Sequence, residues 1–177
     1  MMSPIFDRCI FGSLARITDL SARPFEIEPR VPSEWDTGDY VVGIVTDTSG
    51  YRAIELPSGR NMEVAEGDAV VGAFGTRHAT LEMTGSWREI GDDQLMHALT
   101  RAGLFGHVES RSTLVQPPLE LRYHGHVCRD ATKVTMAGAV PPVDEQPYTT
   151  PTILFAGTSM SAGKTTAARI VTRRLKR

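Results

Sequence analysis

Four prolines fall within the twelve residues VPPVDEQPYTTP, 140–151. No helix and no central strand can run through such a segment, because each proline removes a backbone donor and fixes its own φ. It reads as a linker that divides the chain into a domain at 1–139 and the start of another at 152–177. Charge divides at almost the same place. The first 145 residues hold thirteen Lys and Arg against all 21 Asp and Glu, a balance of −8; the last 32 hold six basic residues and no acidic one, a balance of +6. The net charge of −2 therefore describes neither part. With 41% hydrophobic residues, the chain of 177 can bury a sizeable core, which excludes a disordered polar tail. Two cysteines exclude a disulfide scaffold and fit a reducing, cytoplasmic compartment. No apolar run is long enough to span a bilayer as a helix, and the N-terminus lacks a secretory pattern, so no membrane partner is expected.

The first part reads as β-rich α+β, a small barrel or sandwich with one helix. Tyr40–Thr46 is a β-branched run ended by turn chemistry at 47–50, and 51–56 reads as the strand returning from it. Residues 68–75 and 79–84 read as two further strands. Asp92 and Gly103 bracket a predicted helix with Leu95, Met96, Leu99 and Ala102 on one face. Strands are expected again at 119–129 and 133–136. Glycines at 43, 67, 72, 75 and 85 suit bulges and tight bends.

After the linker the pattern changes. Thr152–Ala156 is continuously apolar, as in a strand buried on both faces of a parallel sheet. Residues 164–177 read as a helix with Ala167, Ile170, Val171 and Leu175 at core-facing spacing. Between them lies Gly157, Thr158, Ser159, Met160, Ser161, Ala162, Gly163, Lys164, Thr165 and Thr166. Small residues let backbone N–H groups turn inward around phosphate oxygens, and a helix N-terminus adds donors and positive partial charge. In that reading Lys164 stabilises the β- and γ-phosphates, and the Thr165 hydroxyl ligates Mg²⁺. The usual spacing has four residues between the glycines; this loop has five. Through Gly157, Thr158, Gly163, Lys164 and Thr165 it resembles the phosphate loop of dethiobiotin synthetase and its relatives among the P-loop NTPases. The resemblance covers residues 152–177. It implies a P-loop fold, ATP or GTP with Mg²⁺ as cofactors, and a small-molecule second substrate.

Phosphoryl transfer also needs an acidic residue on a later strand and a complete set of βα units. No acidic residue follows Glu145. The expectation is that 152–177 begin a P-loop domain that this chain does not finish, and that the chain alone turns over no substrate. The full protein would then be a nucleotide-dependent kinase, ligase or NTPase. A different class stays open: a β-rich binding or regulatory module whose contacts a nucleotide switches. So does the plain alternative that the loop is only a turn. The basic residues of the last helix sit where cations oppose the dipole and lack interleaved aromatics, which argues against nucleic acid.

Other candidates carry less. His124, His126 and Cys128 alternate on a strand, and zinc takes such ligands. Same-face neighbours lie about 6.5–7 Å apart, however, and Arg122 continues the face, so a solvated surface competes with a metal site. Arg77 and His78 could meet an anionic substrate, or they are ordinary loop residues. His97 and His107 show no partner in the sequence. Cys9 and Cys128 read as packed thiols.

Overall fold

The structure is a computed structural model, and it describes residues 9–79, 81–140, 143–145, 147–158 and 162–176. The chain divides into two compact units, one up to residue 141 and one from residue 142.

Among its described residues the first unit holds twelve strands and short helical turns. Strands β1 (Ile10–Phe11) and β2 (Glu26–Glu28) precede the long β3 (Tyr40–Asp47). A hairpin of β4 (Ala53–Glu55) and β5 (Asn61–Glu63) follows, then β6 (Ala69–Phe74). β7 (Thr76–Ala79) and β8 (Met83–Ser86) form a second hairpin. β9 (Leu95–Thr100), β10 (Leu104–Arg111), β11 (Glu120–Arg129) and β12 (Thr132–Lys133) complete the set, before the single turn α1 (Met136–Ala139). The class is α+β, with a mixed sheet that dominates the unit.

Pairing runs β6–β3–β11–β9–β10, and β10 then pairs in parallel with β6, so the circuit returns to its start. Both faces of its central strands are buried. Val41, Val45, Val70 and Phe74 enter one core with Phe105, Leu121 and Met96; Tyr40, Val42, Ala69, Val71 and Ala73 enter a second with Leu20 and Phe25. This double burial explains why β3 and β6 read as continuous apolar runs rather than alternating ones. Gly72 sits at a close approach of backbones: a Cβ there would lie 2.3 Å from the Gly103 carbonyl oxygen and 2.5 Å from the Phe105 ring. No side chain fits that gap.

Several sequence expectations change. The helix expected from Asp92 to Gly103 is strand β9. Its residues find ladder partners on both sides, in β10 and β11, and tertiary pairing outweighs the helical spacing of Leu95, Met96 and Leu99. Gly103, at φ +89°, serves the β9–β10 turn rather than a helix end. The strand expected at 79–84 spans the β7–β8 turn, and Thr80 lies outside the described residues. Residues 53–55 pair with β5 instead of returning along β3. The strand expected at 133–136 ends at Lys133, and α1 begins at Met136.

In the second unit, α2 (Lys164–Leu175) forms the helix expected at 164–177. None of its residues is buried: Ile170 is 56% exposed and Leu175 71%. The expected core-facing stripe is therefore not covered. Thr152–Ala156 adopts no strand, and Leu154 is 85% exposed. A strand is completed by a ladder partner, and among the described residues this segment has none. No described helix is long and apolar enough to cross a membrane.

Candidate functional site

The described residues on either side of positions 159–161 lie close together. Gly163 adopts φ +81°, ψ 7°, a left-handed conformation that glycine enters without cost, and it stands at the N-cap of the helix. Its carbonyl accepts the Ala167 amide at 2.9 Å. The N-cap glycine has no side chain to cap this end and no acidic residue occupies the first turn, so the helix presents positive partial charge there. The stem of Lys164 lies against Gly157, where a Cβ would fall 3.0 Å from Lys164 Cγ and 3.3 Å from the Ala162 methyl. Thus Gly157, Ala162 and Lys164 come together, with Gly163 adjoining them. Thr158 is exposed, as are Thr165 and Thr166 in the first helical turn. Ser159, Met160 and Ser161 lie outside the described residues.

The His124, His126 and Cys128 alternation is broken. The β11–β3 register shifts between Tyr123 and Gly125, a bulge that re-aims the strand. His124 is exposed, whereas His126 and Cys128 are fully buried. Among the described residues no three His, Cys, Asp or Glu side chains converge to hold a metal ion. Burial pushes the Cys128 thiol up, and the Cys9 thiol up to about 11, so both are packed rather than reactive.

His126 instead belongs to a buried network that the sequence did not reveal. Its Nε2 lies 3.1 Å from Asp39 Oδ2, and its Nδ1 lies 2.6 Å from the Tyr123 hydroxyl. With Asp39 ionised, Nε2–H donates to the carboxylate and Nδ1 accepts from Tyr123. The Tyr123 oxygen in turn accepts the Arg30 amide at 3.0 Å. Lys133 Nζ donates to Asp39 Oδ2 at 2.7 Å, and the Asp36 amide donates to the same oxygen at 2.8 Å. Burial alone would raise the Asp39 pKa, but these hydrogen bonds and the Lys133 charge outweigh it and hold the carboxyl below its ordinary value. Burial pushes Tyr123 up to about 12. Asp39 is 1% exposed and His126 0%, so no substrate reaches them; the network ties the turn before β3 to β11 and β12. Asp39 and His126 are 87 residues apart, and no local signal announces such a pair.

Arg77 is committed rather than open. It donates to the Leu99 carbonyl at 2.5 Å and pairs with Glu82, while His78 is exposed on the same strand. His97 and His107 do meet, edge to face, with ring centroids 5.0 Å apart on β9 and β10. His97 Nδ1 accepts the Val108 amide at 3.3 Å. Burial and the neighbouring His107 hold the His97 pKa below its ordinary value, against the smaller opposing pull of Glu120 and Asp93.

Comparison with protein-family models, with curated proteins and with solved structures returned no match.

Proposed function

We propose that residues 157–166 bind the phosphates of ATP or GTP, and that the protein is a nucleotide-dependent one acting with a small-molecule substrate. The observation that carries this reading is the packing of Gly157 against the Lys164 stem, beside a left-handed Gly163 at the N-cap of a helix with no acidic residue in its first turn. A side chain at position 157 would crowd the lysine stem, and that crowding gives the glycine a physical reason. Lys164 supplies the charge that a triphosphate needs, and helix amides supply neutral donors. Thr165 is the residue to ligate Mg²⁺, which would neutralise charge on the phosphates; the second unit has no acidic residue after Glu145 to add as a further ligand. The finer fold belongs to the same reading: the closed strand circuit as a small barrel, and residues 152–176 as part of a P-loop α/β domain. The two cysteines, neither in a disulfide, support a cytoplasmic location.

With few partners for Mg²⁺ and an exposed helix, binding by this chain is expected to be weak, so the test must detect weak binding. Amide spectra of the isotope-labelled chain titrated with Mg-ATP and Mg-GTP should shift at Gly163–Thr166. The shifts should require about tenfold more nucleotide in Lys164→Ala. Shifts absent at saturating concentrations, or unaltered in that variant, would refute phosphate binding at this loop.

A further inference from the structure

The first unit holds a cleft that the phosphate loop does not explain. It has a volume of about 480 Å³, within the range of small-ligand sites. Its floor is apolar, made by Met83 and Leu99, which are 4% and 1% exposed. One wall is Tyr51 with the Arg101 guanidinium over its ring, 4.1 Å from the centroid. The lining also includes Leu114, 94% exposed, an apolar side chain left in water.

The walls are fixed before any ligand arrives. The Tyr51 amide donates to the Pro117 carbonyl at 2.7 Å, and a Cβ on Gly50 would meet that same oxygen at 2.4 Å. The Ser112 amide donates to the Glu82 carbonyl at 2.8 Å, and Arg111 donates to the Val115 carbonyl. The segment 112–118 is thereby clamped along its length. Such preorganisation lowers the ordering cost of binding.

Charge in the cleft is one-sided. Arg77 at its edge is neutralised by Glu82. Arg101 makes no ion pair and no side-chain hydrogen bond with any described residue, and Arg111 beside the rim pairs with no described carboxylate. This uncompensated positive spot lies in a part of the chain that is otherwise strongly acidic. A guanidinium stacked on an aromatic ring uses its face and keeps its in-plane N–H donors available for a carboxylate.

We propose that this cleft binds a small organic carboxylate with a flat apolar body. The carboxylate meets the Arg101 donors, and the body lies on Met83 and Leu99 beside Leu114. The proposal does not rest on nucleotide binding at residues 157–166. The test uses the whole chain, isotope-labelled, with benzoate as probe and benzamide as its neutral counterpart. Benzoate should shift the amides of Tyr51, Arg101 and residues 114–116 to saturation, and benzamide should not. Arg101→Gln should weaken benzoate about tenfold, as expected for a lost charge-assisted contact. Arg101→Lys, which keeps the charge without the fork, should fall between. Shifts scattered over the surface, equal responses to both probes, or a change below about threefold in Arg101→Gln would overturn the proposal.

Discussion

Strand β3 and the segment Thr152–Ala156 start from the same kind of sequence, a short continuous apolar run, and end differently. In β3, Tyr40, Val41 and Val42 are each 0% exposed, paired on one side with β6 and on the other with β11. In the second unit, Ile153 is 58% exposed and Leu154 85%, and no ladder forms among the described residues. An apolar run states that burial is wanted; only neighbours of complementary register decide whether it becomes a strand. The first unit supplies those neighbours from far along the chain, as the pairing of Val41 with His126 and of Glu26 with Cys128 shows. The described part of the second unit supplies none.

Three measurements press on this contrast. The largest effect is expected in the first unit's core. Phe105 is fully buried beside Gly72, and Phe105→Ala should cost about 3–5 kcal/mol in urea unfolding. Ile170→Ala on the exposed face of α2 should change the same transition by about 0.5 kcal/mol or less. Comparable losses from the two would show that α2 packs as tightly as the β-rich unit and would dissolve the distinction.

Next comes the buried network. Asp39→Asn leaves Lys133 and His126 facing an uncharged amide, and the loss should be about 3 kcal/mol at neutral pH. Because the folded Asp39 pKa is lowered, its contribution is present above the ordinary carboxylate value and is lost as pH falls through the folded value. The deficit of Asp39→Asn relative to the parent should therefore shrink in strong acid. A deficit that is independent of pH would assign the loss to packing alone.

The smallest effect is expected at His97. Its folded pKa lies below the ordinary value of about 6.5, so the unfolded chain takes up the proton first. Stability should fall as pH drops from that value toward the folded one, and His97→Gln should flatten that part of the profile. An unchanged profile would show that the burial of His97 carries no protonation cost.

How much was legible follows from the range of each interaction. β3 and β6 were readable because both of their faces are buried, and this writes an unbroken apolar run into the sequence. Helix α2 was readable because its bounds and amphipathic spacing are local. β9 was misread for the same reason: Asp92, Gly103 and the spacing of Leu95, Met96 and Leu99 satisfy a local helix pattern, while the two ladders that make it a strand are distant. At residues 157–164, the spacing of Gly157, Gly163 and Lys164 was visible in the sequence, whereas the left-handed φ of Gly163 is a property of the fold. The Asp39, His126 and Tyr123 network was invisible, since its members carry no motif. The His124–Cys128 alternation misled because a bulge, which strand periodicity does not encode, separates its faces. The cleft by Arg101 needed Tyr51 and residues 114–118 to meet, which no window of sequence contains.

The approach of Gly72 to Gly103 has a consequence for how changes combine. Two strands share one edge of β6: β1 lies along Val70 and Val71, and β10 lies along Ala73 and Phe74. The changeover falls at Gly72, where Gly12 and Gly103 also converge; a Cβ on Gly103 would lie 3.3 Å from the Gly12 Cα and 3.4 Å from the Gly72 Cα. A methyl group at any of the three forces the same two strand ends apart. Once one has done so, a second enters space that is already open. Substitutions at these glycines should thus be strongly epistatic, with the pair costing less than the sum of its parts, so the three positions vary as one unit rather than as independent sites.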